Sequence, residues 1–225
     1  MKLSIIMPVY NEERTLKEVI HKIKMIDIKK EIIIVDDGSC DKTRKILDNI
    51  RDDSIKIISH PYNRGKGAAI KTALDFVNGD IVIIQDADLE YDPNDYLKLI
   101  QPIETGITDV VYGSRFLTKE KTTSFFHYLV NLFLTSVTNL LFGSHLSDME
   151  TCYKVFKTRI IKELDLESNG FEIEPELTIK ALKKDHKIYE IPITYRSRSY
   201  HDGKKISWRD GIKTFLVILK YRFVR

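Results

Sequence analysis

The sequence predicts an α/β fold, a mostly parallel sheet flanked by helices with amphipathic helices towards the C-terminus, and three observations carry that expectation. Short β-branched runs alternate with helix-length stretches through the first half. Several of those runs are apolar throughout, which marks strands covered on both faces. Polar, turn-rich motifs follow one run after another, and open parallel sheets bind ligands beyond the carboxyl ends of their strands.

The elements are taken in chain order. Residues 3–9 read as the first strand, and Asn11 as the cap of a helix with Glu12 and Glu13 in its first turn, where the helix dipole favours acids. Residues 31–35 form a second strand, with a continuous apolar run from Ile32 to Val35; 55–59 give a third. The fourth is 80–85, centred on Ile81-Val82-Ile83-Ile84, and 108–112 give a fifth. Such alternation implies right-handed crossovers. The second half is less regular. It holds an apolar helix over 124–143, a segment 148–156, a helix over 174–183, a strand over 187–195 and a basic amphipathic helix over 208–225.

The 225 residues fit one domain. With 43% hydrophobic and 31% charged residues, a packed core is expected and disorder is not. The net charge of +3 is too small to argue for a nucleic-acid partner. Cys40 and Cys152 form neither a ligand cluster nor a disulfide framework, as suits a reducing cytoplasm. The first apolar run is ended by Pro8 and Asn11, so it reads as a strand and not as a leader. Residues 124–143 lack Asp, Glu, Lys and Arg, and their length approaches the ~20 residues of a membrane span. However, His127, Asn131, Thr135 and Thr138 recur at helical spacing as one polar stripe. A non-spanning helix is expected, lying in a membrane interface or packing its stripe against the protein.

Asp86-Ala87-Asp88 ends the fourth strand. Two carboxylates one residue apart repel unless a ligand or cation intervenes, and hard oxygens suit Mg²⁺ or Mn²⁺, with Glu90 as a third oxygen. Alone, the pattern is more often an acidic turn; the strand before it and the other motifs reverse that. Asp36-Asp37-Gly38-Ser39 ends the second strand and could accept hydrogen bonds from a ribose, or be an ordinary Asp-Gly turn. Asn63-Arg64-Gly65-Lys66-Gly67 precedes a helix, so its cations and glycines suit an anion, although it is neither a P-loop nor a G-x-G-x-x-G fingerprint. Arg115, Arg196, Arg198, Lys204 and Lys205 offer phosphate-binding cations or a solvated basic surface. In Asp148-Met149-Glu150-Thr151-Cys152 an acid could serve as a base, cap a helix or pair with an arginine.

In this order the motifs resemble the family 2 inverting glycosyltransferases with a GT-A (Rossmann-like) fold, and within them the dolichol-phosphate mannose synthase branch that makes polyprenyl-phosphate sugars. The marks are Pro8-Val9-Tyr10-Asn11-Glu12, Val35-Asp36-Asp37-Gly38-Ser39, Asn63-Arg64-Gly65-Lys66-Gly67, Asp86-Ala87-Asp88, Gly113-Ser114-Arg115 and the segment 198–205. The resemblance covers nearly the whole chain. It implies a single domain, with 1–115 taking the nucleotide sugar and 116–225 the acceptor. It implies that Pro8, Tyr10, Glu12, Val35 and Asp37 hold the nucleoside, with Lys66 and Ala87 also on the donor side. Asp86 and Asp88 would hold the metal and the diphosphate, and Arg115, Arg198 and Lys205 the phosphates of donor and acceptor. The synthases read Gln where this chain has Glu90, and Ser-Gly-Phe where it has Thr151-Cys152-Tyr153.

The implied reaction is displacement at the anomeric carbon with inversion, from a GDP- or UDP-sugar to a polyprenyl phosphate. Catalysis would fall to Asp88, Arg115 and Asp148. A lipid phosphate has a second pKa of ~6 and needs positioning more than deprotonation. A saccharide hydroxyl would need a base, with Asp148 first and Glu150 second. The basic, aromatic helix over 208–225 and the apolar helix over 124–143 suggest peripheral contact at the cytoplasmic face of the cell membrane. The alternatives are a transferase acting on a saccharide hydroxyl in cell-surface polysaccharide synthesis and a non-catalytic donor-binding protein. A sugar nucleotidyltransferase would show a Gly-Gly-rich loop after the first strand, which is absent.

Overall fold

The computed structural model describes residues 1–118, 125–198 and 208–224. Its strands are β1 (Leu3–Val9), β2 (Lys30–Asp36), β3 (Ile55–Ser59), β4 (Ile81–Ile84), β5 (Val110–Ser114), β6 (Lys154–Lys157) and β7 (Ile188–Pro192). They form one mixed, mostly parallel sheet in the order β3-β2-β1-β4-β6-β5-β7. The helices are α1 (Leu16–Met25), α2 (Thr43–Leu47), α3 (Lys66–Leu74), α4 (Tyr96–Glu104), α5 (Phe125–Phe142), α6 (Thr158–Glu163), α7 (Ile173–Lys183) and α8 (Trp208–Phe223). The isoleucines of β1, β2 and β4 are almost completely buried because helices cover both sheet faces, which is why their runs do not alternate.

Strand β6 was not foreseen. It lies antiparallel to both β4 and β5, pairing Ile83 with Val155 and Tyr112 with Lys154. Only Val155 and Phe156 carry an apolar signal, and lysines flank them. A parallel strand offers the loop that follows it to the carboxyl edge of the sheet. An antiparallel strand offers the segment that precedes it. Residues 148–153 therefore arrive at the same edge as the ends of β1, β2 and β4.

One expectation about the helices is revised, and a second is narrowed to one of its two alternatives. Asn11 does not cap α1, which starts at Leu16. Asn11 has φ 50°, its side-chain oxygen accepts from the Cys40 N–H at 2.8 Å, and its own N–H donates to Ser39 at 2.9 Å. It ties the β1 loop to the β2 loop. In α5 the polar stripe faces the protein: Asn131 donates to Asp148 at 3.0 Å, Thr135 donates to Asn131 at 2.9 Å, and the Met149 N–H donates to Thr135 at 3.1 Å. The opposite face leaves Leu129, Leu132 and Leu140 exposed. No helix among the described residues is long and apolar enough to cross a membrane.

Candidate active site

The carboxyl ends of β1, β2 and β4 open on a cleft of about 1270 Å³. Small-molecule pockets usually hold about 300–1,000 Å³, so this one has room for more than one ligand. One end is lined by the loops after the strands, the other by apolar side chains of α5 and α8, including Val130, Leu134, Ile212 and Phe215.

The strand-end loops are held by charge pairs between segments far apart in sequence. Glu12 receives two hydrogen bonds from Arg198, at 3.0 and 3.1 Å, and Arg198 also lies 3.3 Å from Asp88. Asp37 accepts from the Arg64 and Gly65 N–H groups at 2.9 and 2.7 Å and pairs with the His60 ring at 2.6 Å. It thus shapes the loop before α3 while lining the cleft. Gly65 has φ +100°, and a Cβ there would lie 2.3 Å from the Asn169 carbonyl oxygen, so this glycine serves chain packing as well as any ligand. Pro8, Tyr10, Lys66 and Ala87 also face the cleft. Val35 does not: it is fully buried within β2 and absent from the cleft lining, so its side chain belongs to the core.

Lys66, the first residue of α3, sits 2.8 Å from Asp86 and 2.9 Å from Glu174, and Glu174 meets the fully buried Lys154 at 2.6 Å. Lys154, Glu174, Lys66 and Asp86 make one buried chain of alternating charge. Burial alone would raise Asp86, but the Lys66 ammonium holds its carboxyl below the usual range. Asp88 has Arg198 at 3.3 Å, but that guanidinium is shared with Glu12 and does not outweigh the rest. Burial, then the neighbouring Asp86 and Glu90, push it up to about 7. Glu90 departs from its expected place as a third metal oxygen. Its carboxyl accepts from the Tyr195 hydroxyl at 2.9 Å and the Arg198 N–H at 2.8 Å, pinning the 195–198 segment to the loop. Among the described residues no three His, Cys, Asp or Glu side chains gather as a ligand set.

Arg115 follows β5 and lines the cleft. Asp148 holds it through both carboxyl oxygens, at 2.7 Å each. Asp148 is fully buried and also accepts from Asn131. Burial would raise it, but Arg115 keeps it below the usual range. With its oxygens occupied and no place on the cleft wall, Asp148 is a support for Arg115 and not a free base. Glu150, two residues on, does line the cleft. Its Oε1 is shielded from water and has no hydrogen-bond partner, and burial pushes the carboxyl up to about 7. Lys205 lies outside the described residues. Sequence reasoning overlooked Glu174 and Lys154. Neither carries a motif: Glu174 of α7 meets Lys66 of α3 and Lys154 of β6, a strand whose place in the sheet local pattern does not reveal.

Residues 4–165 match the family described as glycosyl transferase family 2. The chain is 30% identical over 220 residues to a low-salt glycan biosynthesis hexosyltransferase of Haloferax volcanii, covering 92% of this chain and 51% of that one. It is 30% identical over 236 residues to a UDP-N-acetylglucosamine–dolichyl-phosphate N-acetylglucosaminyltransferase of Methanococcus voltae, covering 96% and 94% of the two chains. A dolichol-phosphate mannosyltransferase of Pyrococcus furiosus is 28% identical over 211 residues, 91% of this chain and 59% of its own. The chain thus spans little more than half of the Haloferax and Pyrococcus relatives. In fold it matches glucosyl-3-phosphoglycerate synthase of Mycobacterium tuberculosis, solved with Mn²⁺, UDP and product, at a TM-score of 0.73 and 20% identity over 100% of this chain and 81% of that one. A mostly parallel sheet with a cleft at the carboxyl ends of its strands, a carboxylate pair after β4 and a family match over most of the length agree: the chain is a glycosyltransferase and belongs to glycosyl transferase family 2.

Proposed function

We propose that the chain transfers a hexose or related sugar from a nucleoside-diphosphate sugar to a polyprenyl phosphate, by metal-dependent displacement with inversion. The observation that carries this reading is the two-ended cleft, charged at the strand ends and apolar between α5 and α8. A polyprenyl phosphate has that polarity. The names of the Methanococcus and Pyrococcus relatives point the same way.

Asp86 and Asp88 suit Mg²⁺ or Mn²⁺, because their oxygens are hard and the charge crowding at Asp88 is relieved by a cation. With Glu90 committed elsewhere, the protein would supply these two carboxylates, and diphosphate and water the rest, as Mg²⁺ is commonly held. When bound, the ion offsets charge on the departing diphosphate. Lys66 fixes Asp86, and Pro8, Tyr10, Glu12 and Asp37 form the nucleoside end. Arg198, steadied by Glu12, presents a guanidinium beside Asp88. Arg115, gripped by Asp148, orients the acceptor phosphate, whose oxygen is already ionised. A saccharide hydroxyl as acceptor would keep every donor-side residue but need a base, and Asp148 is not free to be one.

The outer face of α5 and α8 exposes Leu129, Leu132, Leu140, Leu216 and Phe223, with Lys213, Lys220 and Arg222 alongside. Apolar plus basic side chains suit peripheral contact with the anionic cytoplasmic leaflet. The test is nucleoside diphosphate release from UDP-N-acetylglucosamine, UDP-glucose and GDP-mannose, with and without Mn²⁺ and a short-chain polyprenyl phosphate. Release that requires both additions supports the reading. Turnover on a saccharide acceptor with none on the lipid phosphate overturns it.

A further inference from the structure

We infer that Glu150 contacts the transferred sugar, its carboxyl taking hydrogen bonds from the sugar hydroxyls and so deciding which sugar the site accepts. This rests on the donor half of the function proposed above. The first observation is that Glu150 lacks a partner. Glu12, Asp86, Asp88, Glu90 and Glu174 also line the cleft, and each has a cation or a hydrogen-bond donor. Glu150 makes no hydrogen bond or ion pair with any described residue, and its Oε1 is sealed from water. A polar group in that state costs stability, and native structures keep few of them without a use.

The second observation is position. Asp148 grips Arg115, the candidate phosphate-binding cation. Cys152 donates its thiol to the Ile84 carbonyl at 3.6 Å, at the end of the strand that leads into Asp86, and interacts with the Asp86 carboxylate. Glu150 lies between these two along the chain, and it lines the cleft together with Arg115 and Cys152. It therefore stands between the diphosphate end and the acceptor end, where the sugar in transfer must lie. A phosphate offers only acceptor oxygens and negative charge to a carboxyl, and a polyprenyl chain offers no polar group. A sugar ring offers hydroxyls, which both donate and accept. Burial keeps Glu150 close to neutrality, so it can return a hydrogen bond as well.

The experiment is calorimetric titration of wild type, Glu150→Gln and Glu150→Ala with UDP, GDP, UDP-N-acetylglucosamine, UDP-glucose and GDP-mannose in the presence of Mn²⁺. The expected result is a loss of about tenfold or more in affinity for the nucleotide sugar that wild type binds best, with affinity for the bare diphosphate unchanged. A cooperative melt of each variant without ligand shows that it is folded. Unchanged nucleotide-sugar affinity overturns the inference. So does intact affinity with lost turnover, which would make Glu150 a proton acceptor for the acceptor group. Failure of every nucleotide sugar to bind wild type overturns both this and the donor reading. If polyprenyl phosphate fails as acceptor while the affinity difference persists, only the acceptor half of the proposed function falls.

Discussion

The two ends of the cleft are built from different physics. At the strand ends, directional pairs join segments distant in sequence: Glu12 to Arg198, Lys66 to Asp86 and Glu174, Asp37 to the turn before α3. At the helical end, α5 and α8 line the cleft with apolar side chains, Val130 and Leu134 from one and Ile212 and Phe215 from the other. Charge pairs fix positions to fractions of an ångström, as a reacting centre needs. Apolar contact is non-directional and tolerates a ligand of indefinite length and conformation. The difference teaches that precision and permissiveness are kept in separate parts of one site.

The comparison breaks most sharply at Asp88. Asp88→Asn should lower nucleoside diphosphate release about 10³-fold while leaving the fold intact, since one fixed electrostatic group at a developing charge is worth that much. A loss below tenfold would move the metal role elsewhere. Next is Lys154→Ala, which takes from Glu174 the fully buried one of its two cations and leaves Lys66 shared between Glu174 and Asp86. A buried pair broken on one side costs about 3–5 kcal/mol, read as a shifted urea midpoint. No shift would show that the buried charge chain does not hold the strand ends together. At the helical end, Leu216→Glu with Phe223→Glu should cut pelleting with anionic liposomes about tenfold or more and leave donor binding unchanged, because each removes about 1.5–3 kcal/mol of apolar burial. Equal pelleting would place the membrane contact elsewhere or remove it.

The smallest effect is a pH slope. Glu150 ionises near 4.5 when unfolded and at about 7 when folded. The folded state holds that proton more tightly, so Glu150's contribution to stability falls as pH rises through this window. Glu150→Gln should flatten that part of the stability profile measured by urea melts from pH 4.5 to 8. Retention of the full slope would assign it to another carboxyl.

The strand end of the cleft was legible in the sequence because β1 to β4 announce themselves as apolar runs, and each hands the next loop to one edge. Asp86, Asp88 and Glu12 line the cleft at that edge. Val35 was misplaced because a motif residue inside a strand faces the core when both faces of the sheet are covered. Glu90 looked like a ligand because Tyr195 and the Arg198 backbone approach it from about a hundred residues away. Asp148 was ranked ahead of Glu150 for the same reason: its partner Arg115 is 33 positions distant. The expected strand over 108–112 lies two residues further on, at Val110–Ser114. Strand β6 was invisible, and with it the reason that Glu150 reaches the cleft.

That strand carries one more consequence. β5 ends and β6 begins at the same edge of the sheet, where the Gly113 N–H donates to the Tyr153 carbonyl at 2.8 Å. The chain from 115 to 152 is therefore an excursion with closely spaced ends, sewn to the sheet by that seam. Lengthening, shortening or exchanging its middle leaves the strand order as it is. It is a natural cassette: a point where descendants of one ancestor could vary one wall of the cleft without rebuilding the sheet.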